Sequence, residues 1–141
     1  MTDLGKAFPL RRARLHAVVW GLFLLTLTSW PSPPEVAAVS WIPDFDKIVH
    51  ALLYGVEGFL LYFAVSWPEP RRFSWGRALA VGGALAAFGA LDELHQVWIP
   101  GRSAEVADVL TDAIAGFAGA AVASVKSGRS RRDASGKVGN L

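Results

Sequence analysis

The sequence predicts an all-α membrane protein, a bundle of four transmembrane helices, and two observations support that fold class. Hydrophobic residues make up 52% of the 141 residues, which leaves little polar surface for a water-soluble exterior. These residues also fall in four long runs, each approaching the roughly 20 residues that a helix needs to cross a hydrocarbon core of about 30 Å. One transmembrane domain is therefore expected over residues 1–125.

The four predicted helices follow one another with short polar connections. Their predicted ranges are 15–30, 48–67, 78–99 and 106–125. Prolines separate the first two helices, and Pro100-Gly101 separates the last two, because proline and glycine end helices. Several tryptophans lie at predicted helix ends, where amphipathic rings favour the headgroup level. Residues 126–141 have too little apolar surface to fold, which predicts a basic, disordered tail.

The distribution of charge predicts the orientation of the helices. Almost all Lys and Arg residues lie in 1–14, 68–77 and 126–141, whereas the acidic residues concentrate in the other polar segments. Because Lys and Arg favour the cytoplasmic side of a membrane, both termini are expected in the cytoplasm. The alternative is that the first run is a signal peptide cleaved near Ala37-Ala38. This is disfavoured because the run is long for such a segment and the small-residue site is poor.

Composition also excludes several classes of site. The chain has no cysteine, so it can form no disulfide, thiolate metal site or cysteine nucleophile. Its pI is about 9.3, but the basic residues fall in separate blocks without a recognition motif, so nucleic acid is not an expected partner. No cofactor is expected.

Three polar clusters at the edges of the apolar runs are the main functional clue. Ionisable residues at membrane depth are costly and usually face a protein interior or a cavity. With both termini inside, the three clusters meet at the outer face, where they are expected to form one outward-facing site. The residues assigned to ligand binding are Asp46, Lys47, His50, Tyr54, Asp92, Glu93, Gln96, Arg102, Asp108 and Asp112.

Helical spacing places these residues on defined faces. The second helix carries four polar residues at intervals of four, four and three, which share one face. They are Asp46, His50, Tyr54 and Glu57. On the third helix, Asp92 and Gln96 share a face. On the fourth helix, three acids recur along one stripe that small residues continue, which predicts close helix packing. That stripe is Glu105, Asp108, Asp112, Ala115 and Gly119, with Gly116 beside it.

The cations of the outer side should pair with these acids. Lys47 and Arg102 are the only Lys or Arg residues predicted there, and Arg102 is expected to be the common partner, as a bidentate clamp. Asp92 and Glu93 could bind a divalent cation together with His50, but their spacing matches no established metal motif. An internal salt-bridge network is preferred, and no metal site is assigned.

The ordered set of motifs resembles the VanZ-like family. The pattern is Asp46-Lys47-x-x-His50-x-x-x-Tyr54, Asp92-Glu93-x-x-Gln96, Arg102 and Asp108-x-x-x-Asp112-x-x-x-Gly116. That family consists of small bacterial membrane proteins, some associated with resistance to glycopeptide antibiotics such as teicoplanin. The resemblance implies a multi-pass protein of the cell envelope, in the bacterial cytoplasmic (inner) membrane. It does not identify a substrate.

Three classes of function follow from this pattern. In the preferred one, the site binds a membrane lipid or a lipid-linked envelope precursor and alters glycopeptide susceptibility, with Lys47, His50 and Arg102 contacting phosphate or carboxylate. In the second, the protein is an enzyme acting on a lipid, with Asp92 or Glu93 as general base and His50 as its partner. No nucleophile motif supports that reading, so enzymatic activity stays uncertain. A proton-coupled carrier is third, because four helices are few for alternating access unless the chain forms a homo-oligomer.

Overall fold

The computed structural model describes residues 4–31, 44–65 and 74–138, and it confirms the predicted all-α class. Four helices account for nearly all of these residues. They are α1 (Leu4–Thr28), α2 (Phe45–Ala64), α3 (Trp75–Gln96) and α4 (Val106–Val138). The connections between α1 and α2 and between α2 and α3 lie largely outside the described residues.

Three of the helices have the length and composition of membrane spans. They are α2, α3 and the part of α4 from Val106 to Ser127. The first half of α1 carries Arg11, Arg12 and Arg14, so its uninterrupted apolar stretch is shorter than the roughly 20 residues of a complete span. Three spans are therefore supported, and a fourth span through α1 stays a prediction.

Helix α4 is the centre of the bundle. It runs parallel to α2, with which it makes the most extensive contacts, and antiparallel to α3. Gly58 of α2 lies against the backbone of Gly116, and Gly119 of α4 lies against the backbone of Gly55. Small residues at these positions let two helix backbones approach closely, as the stripe of small residues on α4 predicts.

Helix α1 packs mainly on α2, in the antiparallel direction. The Trp20 indole donates a hydrogen bond to the Leu53 carbonyl at 2.9 Å, and Arg14 reaches the Ala64 carbonyl at 3.3 Å. The outward faces of the helices expose many large aliphatic side chains, among them Leu22, which is 60% exposed. Apolar surface of this extent on several helices is typical of contact with lipid.

The C-terminal part of α4 differs from the sequence-based expectation. The structure continues this helix to Val138, whereas the sequence predicts a disordered tail from residue 126. Extending an existing helix costs less free energy than nucleating a new one.

Candidate functional site

The three predicted polar clusters come together at one end of the bundle. This end contains the start of α2, the end of α3 and the start of α4. Six polar side chains of α2, α3 and α4 are buried at this end of the described bundle: His50, Asp92, Glu93, Gln96, Asp108 and Asp112. Together with the more exposed Lys47 and Arg102, they are called the polar cluster below.

Lys47 is the common cationic partner at this end. Its ammonium nitrogen lies 3.0 Å from Asp46 Oδ2, 3.1 Å from Glu105 Oε2 and 3.3 Å from Asp108 Oδ1. The expectation that Arg102 takes this role is wrong. Within residues 4–31, 44–65 and 74–138, Arg102 forms no ion pair with an acid, and its Nε donates to Gln96 Oε1 at 3.0 Å. The long Lys47 side chain reaches from α2 to α4.

Gln96 links the acids at the end of α3 to Arg102. Its amide nitrogen donates to Glu93 Oε1 at 3.1 Å and to Asp92 Oδ2 at 3.4 Å, while its amide oxygen accepts from Arg102. Gln96 is only 2% exposed. Both ends of a buried amide are therefore satisfied, which avoids the penalty of an unpaired polar group.

The two acids of α3 are also held by neighbouring elements. The Thr28 hydroxyl at the end of α1 donates to Asp92 Oδ1 at 3.0 Å. The backbone N–H of Glu105 donates to Glu93 Oε2 at 2.8 Å, just before α4 begins. A carboxylate at this position also stabilises the positive end of the helix dipole. Thr28 was missed at the sequence level, because a single threonine at a helix end carries no periodic signal.

His50 pairs with Asp112, not with Asp92 or Glu93 as the sequence suggested. The distance from His50 Nδ1 to Asp112 Oδ1 is 3.0 Å, and the Asp112 side chain is fully buried. The Tyr54 ring lies nearly parallel to the imidazole, with ring centroids 6.2 Å apart. The Tyr54 hydroxyl and Asp112 Oδ2 are buried without a hydrogen bond in the described part of the chain.

Two groups of side chains at this end have the geometry of cation ligands. The inner group, His50, Glu93 and Asp108, is buried, and its ligand atoms lie within 4.8 Å of one another. The outer group consists of Asp46, Glu105 and Asp108, of which only Asp108 is buried.

Two titratable residues near the predicted clusters lie apart from the polar cluster. His95 is exposed and points away from the interior. Glu57 is buried deeper along α2, one of its oxygens has no hydrogen bond to the described residues, and its carboxyl group lies beside Gly21 of α1. Burial of Glu57 agrees with its place on the inward face of the second helix.

The family profile described as VanZ/LLP1 matches residues 10–127. This chain belongs to the VanZ/LLP1 family. The match includes every residue of the polar cluster, and it confirms the resemblance inferred from the ordered motifs. No curated protein and no solved structure matches the chain. Membership of the VanZ/LLP1 family and three apolar helices of spanning length together support a membrane protein.

Proposed function

We propose that this VanZ/LLP1 protein binds a phosphate-bearing headgroup of a membrane lipid or of a lipid-linked envelope precursor. Arg102 carries the proposal. Its side chain is half-buried, its Nε is held by Gln96, and its two terminal amino groups form no hydrogen bond within the described ranges. A guanidinium that is fixed at one nitrogen and free at the other two suits bidentate binding of phosphate.

The place of the polar cluster favours a lipid over a soluble anion. The cluster lies where three apolar helices of spanning length begin or end, which corresponds to the headgroup level of a bilayer. The charge distribution favours an orientation with both termini in the cytoplasm, and in that orientation the cluster would lie at the outer face of the bacterial cytoplasmic membrane. Binding there would alter how envelope precursors are presented at the cell surface.

Binding of defined lipids to the full-length protein tests this proposal. The purified protein in detergent is titrated with a short-chain phosphatidylglycerol and with a polyprenyl phosphate, and complexes are measured by native mass spectrometry. Arg102→Gln should weaken binding about tenfold or more, because a charge-assisted bidentate contact is lost. The matched control is Arg14→Gln, whose side chain contacts Ala64 at the other end of α2. Equal binding by wild type and both variants would refute the proposal.

An effect on glycopeptide susceptibility is the second part of this proposal. It rests on family membership and on the expected outer position of Arg102. Expression in a susceptible bacterium should change the inhibitory concentration of teicoplanin, and Arg102→Gln should abolish that change at equal protein level. If the inhibitory concentration changes equally with the variant, the resistance phenotype does not depend on the polar cluster.

One observation favours an enzyme acting on a lipid as a second candidate. Asp112 holds His50 Nδ1, as a carboxylate holds the imidazole of a general base. In this candidate, His50 accepts a proton from a water that attacks an ester of the lipid, the ester bond breaks, and the imidazolium returns the proton to the leaving oxygen. Incubation with a bacterial lipid extract, followed by mass spectrometry, should then show a product with wild type and none with His50→Ala. A lipid profile unchanged by wild type would count against catalysis.

A further inference from the structure

We propose that His50, Glu93 and Asp108 bind a divalent transition-metal ion of the Zn²⁺ or Mn²⁺ type. This site goes beyond the proposed headgroup binding and does not depend on it. The three residues come from α2, α3 and α4, so one ion would join the three helices of the bundle. All three are buried.

The distances among the ligand atoms fit such an ion after small movements. One ligand atom of each residue lies within 4.8 Å of those of the other two. Ligands about 2.1 Å from an ion are about 3.4 Å apart in a tetrahedron and about 4.2 Å apart across an octahedron. A decrease of no more than about 1.4 Å in each separation would therefore bring the three atoms to tetrahedral spacing.

The pairing of His50 with Asp112 prepares the imidazole for this role. Asp112 Oδ1 lies 3.0 Å from His50 Nδ1, which leaves Nε2 for the ion. Histidines that bind metals almost always donate their second N–H to a carboxylate, a carbonyl or water, because this fixes the tautomer and the ring orientation. Asp112 is therefore inferred to position His50.

The charge balance at this end is an independent reason for a cation. Four carboxylates, those of Asp92, Glu93, Asp108 and Asp112, are buried there, each at most 6% exposed. Lys47 is the one lysine or arginine that forms an ion pair with any of them within the described ranges, and it contacts only Asp108. Buried carboxylates without a compensating charge are strongly unfavourable. A divalent ion would supply the missing positive charge.

A buried carboxylate oxygen without a hydrogen bond lies beside the same group. Asp112 Oδ2 is buried and has no hydrogen bond to the described residues, whereas the buried Asp108 Oδ1 lies 3.3 Å from the Lys47 ammonium. Asp108 is 6% exposed and belongs to the proposed ligand set, and Asp112 holds the imidazole of that set. Buried polar atoms are almost always satisfied by a protein group, a water or an ion.

The outer acidic group is a poorer site for an ion. The Lys47 ammonium already lies within 3.3 Å of Asp46, Glu105 and Asp108, so this group holds a cation of its own. Asp46 and Glu105 are also exposed, at 55% and 47% of the side chain. The inner group differs because it includes an imidazole and because all three of its residues are buried.

The donor atoms indicate which ions fit. An imidazole nitrogen favours Zn²⁺ and related transition metals, whereas sites built only of oxygen suit Mg²⁺ or Ca²⁺. Two carboxylates beside one imidazole are compatible with Zn²⁺ and Mn²⁺. We expect Mg²⁺ and Ca²⁺, at the same concentration as Zn²⁺ or Mn²⁺, to displace little of the bound ion.

Metal content of the full-length protein tests the site without any lipid. Protein treated with EDTA is equilibrated with ZnCl₂ or MnCl₂, desalted and analysed by inductively coupled plasma mass spectrometry. Wild type should retain about one ion per chain, and His50→Ala, Glu93→Gln and Asp108→Asn should each weaken retention by at least about tenfold. Two matched controls, His95→Ala and Glu105→Gln, should retain the ion, because His95 is exposed and Glu105 belongs only to the outer group.

A spectroscopic measurement on wild type keeps the test independent of variant folding. Electron spin echo spectra of bound Mn²⁺ should show modulation from the ¹⁴N nucleus of an imidazole. Absence of this modulation, or of any retained ion, would overturn the proposal. Loss of the ion in Glu105→Gln with retention in His50→Ala would assign it to the outer group and overturn the proposal as well. These metal measurements use no lipid, so they test the metal site even if the protein does not bind the proposed headgroup.

Discussion

At the scale of single residues, the polar cluster is organised by groups that satisfy several partners at once. Gln96 joins Asp92, Glu93 and Arg102 through the two ends of one amide. Lys47 joins three carboxylates through one ammonium group. Removal of Gln96 would cost the buried Asp92 and Glu93 these hydrogen bonds, and removal of Lys47 would cost the buried Asp108 its ion pair.

The first prediction concerns Gln96. Gln96→Leu should lower the free energy of unfolding by about 2–4 kcal/mol, because two hydrogen bonds to acids and one from a guanidinium are lost together. The measurement is chemical unfolding in detergent, followed by circular dichroism. His95→Leu, the exposed neighbour, should change stability by no more than about 0.5 kcal/mol. A loss of equal size in both variants would contradict the network centred on Gln96.

The second prediction concerns the pairing of Lys47 with Asp108. Lys47→Met should lower the melting temperature more than Asp46→Asn, because Asp108 is buried and Asp46 is exposed. In a double-mutant cycle, Lys47→Met combined with Asp108→Asn should be less destabilising than the sum of the two single changes. Strict additivity in thermal unfolding would show that the two side chains do not interact.

At the scale of helices, the bundle depends on close contact between α2 and α4. Gly58 and Gly119 each lie against backbone atoms of the opposite helix, so the two backbones nearly touch. Without a hydrophobic driving force between helices in lipid, this kind of packing provides much of the association energy. It also brings His50 within hydrogen-bonding distance of Asp112.

The third prediction tests this contact. Gly119→Ala should destabilise the protein by about 1–3 kcal/mol, because the new methyl group would collide with the backbone at Gly55. Gly119→Leu should be more severe. The matched control is Gly83→Ala in α3, which meets no atom within 4 Å and should be neutral or stabilising by up to about 1 kcal/mol. The measurement is thermal unfolding in detergent. A lower melting temperature for Gly83→Ala than for Gly119→Ala would contradict this packing.

At the scale of the whole molecule, the described residues form a bundle whose polar end and lipid-facing sides are distinct. Three helices of spanning length carry exposed aliphatic residues outward and place the buried carboxylates at one end. Burial of so many acids inside an apolar bundle is favourable only when they are paired, hydrogen-bonded or bound to a cation.

The fourth prediction concerns orientation in the membrane. Because the chain has no native cysteine, single cysteines at Ser103 and Ser130 can be labelled without interference. We expect a membrane-impermeant maleimide to label Ser103→Cys in intact cells and to label Ser130→Cys only after lysis, since Lys and Arg favour the cytoplasmic side. The opposite pattern of labelling would place the polar cluster on the cytoplasmic face.

Sequence patterns alone predict the helical class, the approximate positions of α2 and α3, and the shared inward face of His50, Tyr54 and Glu57. These follow from properties that repeat along one helix: apolar length, the periodicity that aligns His50 with Tyr54, and proline and glycine between helices. The ordered motifs were sufficient to indicate the family. Because each polar run adjoins a helix end, their convergence at one end of the bundle could also be inferred from the alternating direction of the helices.

The pairing of side chains follows from the arrangement of the helices in three dimensions. Lys47, and not the expected Arg102, is the partner of several acids, and His50 pairs with Asp112. Periodicity assigns a residue to a face of its own helix, but a hydrogen bond also depends on how two helices are rotated and shifted against each other. A shift of one helix by a few ångströms changes the hydrogen-bond partner. The relative position of two helices is set by packing contacts such as that of Gly58 with Gly116, which cannot be read from the sequence of one helix alone.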